Sequence, residues 1–346
     1  MPREQSASAR SGVAPAAGTA RLRKRRSWFL VKLALALTVL TLLIAGIGWR
    51  AVIEAFSGLN LWWIPVLLLL RLLRIFLQSE RWRLFLIAYQ IKVSRGRLFR
   101  SYLVSRMFNN LLPGQLGGDA YRVLRGLDSG EKKTELASSV IMERASGLIG
   151  LTLVAATSGW IYFPLLQDAG LSLLPLLAGA GCVLLIALST TRSAVVWTRR
   201  AARYVPGPRI RSAADAILGD LILHVGRHSV LLVAVVIGAG YYILAAIETF
   251  LAFRAFGVDV DLFAVMVVSP IVALISSVPI TINGWGITEA ASVLLYTQLG
   301  ISAPEAFATA LLGRINFTVM AVIGGFIYLA DIYARAGRAG PASPVR

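Results

Sequence analysis

Apolar residues in this chain come in runs too long for the core of a soluble domain, and two regions interrupt them with polar, glycine and proline residues. An α-helix rises 1.5 Å per residue, so about 20 apolar residues cross ~30 Å of hydrocarbon. Six segments meet that length, near residues 28–49, 61–79, 137–162, 172–190, 229–252 and 304–330. The interrupted regions, near 98–127 and 263–300, hold too many Pro, Gly and Asn residues for simple spans. Non-helical backbone survives at membrane depth only against protein or a wet cavity, so re-entrant hairpins or pairs of short helices are expected there. The pattern predicts an all-α integral membrane protein with about six full transmembrane helices plus two broken or re-entrant helical hairpins.

Charge orients these elements, because Lys and Arg accumulate in short cytoplasmic connections. The N-terminal tail, Arg81 to Arg97, the segment 122–133 and Arg192 to Arg227 are basic. The alternate connections hold only Arg50 with Glu54, Asp168, and Arg254 with Asp259 and Asp261. Both termini are therefore expected in the cytoplasm of a multi-pass plasma-membrane protein. The first interrupted region then opens from the cytoplasmic side and the second from the outer side. Each half reads helix, helix, hairpin, helix in opposite orientation, an inverted repeat of the kind that permits alternating access. The expected organisation is a disordered basic tail over 1–27, a membrane domain over 28–330 and a cytoplasmic tail over 331–346. Inverted halves at about 28–162 and 172–330 are joined by a polar cytoplasmic linker, 191–228, which Val205-Pro-Gly-Pro208 divides before a surface helix at 210–225.

Composition supports the membrane reading and removes several others. The chain is 57% hydrophobic and 15% charged with a mean hydropathy of +0.72, against about 25% charged residues in soluble domains. Its formal charge of +18 lies in short segments between apolar runs, which fits membrane orientation and not nucleic-acid binding. Arg21-Leu-Arg-Lys-Arg-Arg26 before Trp28 resembles a signal sequence, but the run to Trp49 is long enough to span, contains Lys32 and lacks a small-x-small cleavage site. It reads as an uncleaved first helix. The single Cys182 allows no intrachain disulfide, and His224 with His228 supply too few ligands for zinc. No metal or other cofactor is expected, nor a hydrolase, since no Gly-x-Ser-x-Gly elbow is present.

Charges inside apolar segments carry the candidate chemistry. Each costs roughly 2.5–3.5 kcal/mol on insertion scales, so Arg106, Asp119, Glu143, Arg144, Glu248, Glu289 and Arg314 require partners or water. In the first interrupted region Asn109 and Asn110 precede Pro113-Gly114, and Gly117-Gly118 permits close backbone approach before Asp119. Arg106 and Arg122 flank this break and can grip a phosphate, aided by the exposed N–H end of the helix that begins near Asp119. Arg71 and Arg74 are similar candidates; the competing structural readings make these two snorkelling residues, Asp119 an N-cap, Arg122 a cytoplasmic anchor, and the intramembrane charges buried ion pairs that hold helices together. In the second region Asn283-Gly-Trp-Gly286 has no sheet around it and is not a nucleotide loop. Thr288 can cap the following helix, and Glu289 can occupy its first turn, pair with Arg314 or exchange a proton. Glu143 and Arg144, being adjacent, point to different helix faces and address different neighbours.

Three pieces, Asn109-Asn-Leu-Leu-Pro-Gly-Gln-Leu-Gly-Gly-Asp119, Glu143-Arg144 and Pro279-x-x-x-Asn-Gly-Trp-Gly-Ile-Thr-Glu289, are together similar to the flippase-like membrane family that includes the membrane domain of lysylphosphatidylglycerol synthases. The resemblance spans most of residues 28–330. It implies a polytopic protein that moves or presents lipids, an aminoacylated phospholipid in some members and a lipid-linked sugar in others. The resemblance stops at the membrane part, and no soluble aminoacyl-transfer domain is expected after it. The leading expectation is a lipid translocase or lipid-binding transporter for an anionic phospholipid or prenyl-phosphate-linked headgroup. Its headgroup path would comprise Arg106, Asn109, Asn110, Asp119, Arg122, Glu143, Arg144, Asn283, Glu289 and Arg314. Alternatives are a membrane-embedded transferase acting on polyprenyl-linked sugars, with Asp119, Glu143 or Glu289 as general base, and a membrane partner of a lipid or glycan biosynthetic enzyme.

Overall fold

Polar and glycine-rich breaks divide the apolar sequence into a series of helices. The computed structural model describes residues 16–111, 116–124, 133–162, 164, 167, 172–190, 200, 228–277 and 281–338. Among these, eleven α-helices and one 3-10 turn occur, with no strands. They are α1 (Ala16–Ile47), α2 (Trp49–Ser57), α3 (Trp63–Ala88), α4 (Arg95–Leu111), α5 (Leu116–Leu124), α6 (Lys133–Ile161), α7 (Leu173–Thr190), α8 (His228–Ala255), α9 (Leu262–Ser277), the 3-10 turn (Ile282–Gly284), α10 (Ile287–Thr297) and α11 (Ala303–Arg338). The linker expected over 191–228 and the Pro113-Gly114 and Pro279 positions lie outside the described residues, apart from Arg200 and His228.

Among the described residues, four helices are long and apolar enough to cross a membrane, at Leu30–Ile47, Lys133–Ile161, Ser229–Ala255 and Ala303–Ala334. The expected span at 61–79 lies within α3, which carries Arg71, Arg74, Glu80, Arg81 and Arg83 and so falls outside the purely apolar class. Each interrupted region forms a pair of shorter helices, α4 with α5 and α9 with α10. Large apolar side chains such as Leu42, Leu69, Val183, Leu232 and Phe326 are exposed on helix surfaces, as suits a protein solvated by lipid. This is an all-α membrane protein.

Small residues place α6 at the centre. Ser138, Ser139, Ser146, Gly147, Gly150, Ala155 and Gly159 are buried, and the helix packs on α3, α5, α7, α8 and α9. Apolar burial gives little drive for helix association in lipid, so close backbone approach through small side chains takes its place. A reciprocal pattern runs through the packing. Helix α3 packs on α8; α4 lies on α11, whereas α9 lies on α6; α5 packs on α4 and α6, and α10 on α9 and α11.

Loop contacts define two ends. The Asn60 N–H donates to the Ala255 carbonyl at 2.8 Å, and Tyr162 stacks on Phe263. The α2–α3, α8–α9 and α10–α11 connections and the end of α6 therefore share one end, where Tyr162, residues 257–261, residues 299–301 and Glu305 line a common depression. At the other end Arg95 pairs with Glu80 and Arg100 with Asp331.

Candidate functional site: an arginine-rich cavity between the two interrupted regions

Helix α3 presents Arg71, Arg74, Gln78 and Arg81 at intervals of three, four and three residues, so they form one polar stripe down an otherwise apolar helix. That stripe lines a cavity of about 410 Å³. The α4–α5 pair contributes Tyr102, Ser105, Arg106, Asn109, Asp119 and Arg122, and α6 adds Glu143, Arg144 and Gly147. From the other half come Tyr241, Tyr242, Ser276, Asn283, Thr288, Arg314 and Phe317. Residues of both interrupted regions thus line a single polar cavity.

Three ion-pair groups fix the walls. Glu143, 1% exposed, accepts from Arg81 Nε at 3.2 Å and from Nη1 and Nη2 of Arg122 at 3.3 Å. Arg122 also bonds Asp119 and the Tyr102 hydroxyl and lies against the rings of Trp82 and Tyr102, and the second oxygen of Asp119 accepts from Arg144. In the middle, Glu248 bridges Arg71 at 2.6 Å and Arg74 at 2.5 Å, with the Arg74 guanidinium over the Tyr241 ring. On the far side Arg314 donates to Glu289, to the Asn283 carbonyl and to Thr288 Oγ1, each at 2.7 Å, over the Trp285 ring. A buried carboxylate paired in this way avoids the large desolvation penalty of an isolated charge.

The balance is uneven. Seven arginines line the cavity, and four carboxylates, Asp119, Glu143, Glu248 and Glu289, answer them. Among the described residues Arg106 is the one cavity arginine with no carboxylate partner. It donates to the Gln78 side-chain oxygen and lies near the Phe317 ring, and its buried Nε has no hydrogen-bond partner. The cavity therefore carries an excess of three positive charges with donor capacity to spare, which suits a phosphate or other oxyanion.

Glycines let these groups approach. A Cβ on Gly147 would sit 2.7 Å from the Arg81 guanidinium, so its absence leaves the trough in which Arg81 reaches Glu143. A Cβ on Gly118 would lie 2.6 Å from the Ser105 carbonyl, as expected of a close-approach glycine. The Gly118 N–H donates to Asn109 Oδ1 at 2.7 Å. One of the first amides of α5 is thereby occupied by α4 and not left for an anion.

Eight of the ten expected path residues line this one cavity: Arg106, Asn109, Asp119, Arg122, Glu143, Arg144, Asn283 and Arg314. Asn110 is half-buried off its wall, and Glu289 is fully buried behind Arg314. Asp119 is not an N-cap, because α5 begins at Leu116 and the carboxylate turns to two arginines instead. Thr288 does not cap α10 either. Gly286 holds that position, its N–H donates to Glu289 Oε2 at 2.7 Å, and Thr288 Oγ1 donates to the Gly284 carbonyl. Arg122 is 3% exposed and is no surface anchor, and Arg71 and Arg74 turn inward to Glu248 instead of snorkelling. Arg81, assigned to a basic loop by its neighbours Arg83 and Lys92, is 4% exposed inside α3. Its spacing from Arg74 and Gln78 was the available signal.

The profile of a family described as the lysylphosphatidylglycerol synthase TM region matches residues 29–325. The chain belongs to this family. Within the lysylphosphatidylglycerol synthase TM-region family, the chain is similar to two proteins of Methanothermobacter thermautotrophicus, each described as a UPF0104 membrane protein. One is 24% identical over 70% of this chain and 78% of its own length, the other 25% identical over 83% and 87%. No solved structure matches the chain significantly. The family match covers every helix that lines the arginine cavity up to Phe317.

Proposed function

We propose that this protein is a lipid translocase of the plasma membrane that takes an anionic phospholipid or lipid-linked headgroup into the arginine cavity while the tails stay in lipid. The observation that carries this reading is the excess of arginine over carboxylate in the space where the two interrupted helix pairs meet. An anion entering there exchanges its hydration shell for guanidinium donors, which offsets the penalty of desolvation. The family description, a membrane region of lipid synthases, supports a lipid as the substrate.

The reciprocal packing of α3–α6 and α8–α11 supports an inverted repeat, and the basic connections support cytoplasmic termini. In that arrangement the α4–α5 pair reaches in from the cytoplasmic face and the α9–α10 pair from the outer face. Rocking of one pair against the other would open the cavity to each side in turn. Every carboxylate on the site is held by at least one arginine, so none stands free as the general base a transferase needs.

Reconstitution into liposomes with labelled anionic phospholipids and prenyl phosphates tests the proposal. Wild-type protein should move the headgroup across the bilayer, and Arg106→Ala should slow it at unchanged protein abundance. No movement of any of these lipids by intact protein would overturn the translocase reading in favour of the transferase or enzyme-partner roles.

A further inference from the structure

A second, smaller recess of about 200 Å³ adjoins the arginine cavity and shares Arg71, Thr288, Arg314 and Phe317 with its wall. Its lining differs in kind. Six hydroxyl side chains, Thr249, Ser269, Thr288, Ser292, Tyr296 and Thr309, face it from four helices, and no carboxylate does. Ala306, Ala310 and Gly313 of α11 leave the space open. Thr309 is 4% exposed and its Oγ1 has no hydrogen-bond partner. A buried hydroxyl left unpaired is destabilising, so a group that supplies both donors and acceptors is called for.

We infer that this recess is a subsite for an uncharged polyol attached to the phosphate that the arginine cavity holds. This deepens the translocase reading and rests on it. Hydroxyl groups donate and accept at once, so a ring of Ser and Thr side chains matches a polyol better than a charged group. Thr249 spends its proton on the Ala245 carbonyl at 3.0 Å, which leaves its oxygen lone pairs for the ligand's hydroxyl protons, whereas Thr288 donates to the Gly284 carbonyl and accepts from Arg314, which leaves it one. Arg71 and Arg314 at the shared rim are each held by a carboxylate outside the recess, and no carboxylate lines the recess itself. Its volume of about 200 Å³, against about 410 Å³ for the arginine cavity, suits the smaller part of a headgroup.

Binding of soluble headgroup fragments to the purified full chain, measured by calorimetry or thermal shift, tests the subsite without requiring transport. The probes are inorganic phosphate, glycerol 1-phosphate and glucose 1-phosphate, against wild type, Thr309→Val and Ser292→Ala. Wild type should bind at least one polyol phosphate about tenfold more tightly than phosphate. Thr309→Val, which keeps the side-chain shape, should remove that preference and leave phosphate affinity unchanged, and Ser292→Ala should weaken it. Equal affinity for all three probes in wild type would overturn the polyol subsite while the anion cavity stands. A preference that survives both substitutions would also overturn it. Failure of every probe to bind, phosphate included, would overturn the anion cavity and the subsite with it.

Discussion

Arg106 and Arg122 flank the same helix break, yet their surroundings assign them different consequences when removed. Arg122 bridges Asp119, Glu143 and Tyr102, so Arg122→Ala leaves the buried Glu143 and the half-buried Asp119 each short of a partner. Removing one member of a buried ion pair costs about 3–5 kcal/mol, and this variant should lose abundance and thermal stability before any effect on transport can be read. Arg106 has only an amide and a ring beside it, so Arg106→Ala should retain the wild-type melting temperature and lose translocation. Size-exclusion profiles after a temperature ramp, set beside liposome assays, separate the two; equal destabilisation would remove Arg106 from the transport role. Gly147→Ala should displace the Arg81 guanidinium and destabilise by about 1–3 kcal/mol, the usual range for overpacking. Arg106, Asp119, Arg122, Glu143, Arg144 and Arg314 were legible because a charge amid apolar residues demands an explanation, whereas Arg71, Arg74 and Arg81 read as interface residues. Gln78, Tyr102, Tyr241 and Ser276 were not, since polar and aromatic residues of that kind occur in any membrane helix without a site beside them.

At the scale of elements, the two broken helix pairs were readable from Pro, Gly and Asn, but what each pair packs on was not. The crossing of α4 on α11 depends on Gly324, where a Cβ would sit 2.0 Å from the Leu103 carbonyl. Its neighbour Gly325 would meet nothing closer than the Met107 sulfur at 3.4 Å. Gly324→Ala should therefore destabilise by more than the ~1–3 kcal/mol of ordinary overpacking, because backbone must move, whereas Gly325→Ala should be tolerated. Thermal denaturation of the two variants in detergent checks this, and similar melting temperatures would argue against the tight crossing. Helix α3 shows the converse lesson. Its hydrophobic stretch predicted a span, and the stripe of Arg71, Arg74, Gln78 and Arg81 was written in the same residues. Which way that stripe faces depends on Glu143 and Glu248, which stand 62 and 174 residues away from their partners Arg81 and Arg74.

For the whole molecule, the expected orientation places Lys92 in the cytoplasm and Asp259 outside. Cys182 is the only cysteine, so Cys182→Ala provides a background for Lys92→Cys and Asp259→Cys. Membrane-impermeant maleimide should reach these two positions from opposite sides in oriented vesicles; labelling from the same side would overturn the inverted arrangement. The cavity's positive excess predicts that an anionic phospholipid moves at least about tenfold faster than a zwitterionic one of equal chain length, a preference requiring only ~1.4 kcal/mol. Equal rates would detach the arginines from substrate choice. The sequence by itself determined the membrane class, the positions of the apolar runs and breaks, and the identity of most charges that need partners. These follow from local composition and helix periodicity, which act over one or two turns. Only the tertiary structure decided that both breaks open on one cavity, that four acids answer seven arginines there, and that hydroxyls from four helices line the recess beside it. Those facts depend on contacts between residues far apart in sequence, where burial and charge pairing, not local propensity, set the geometry.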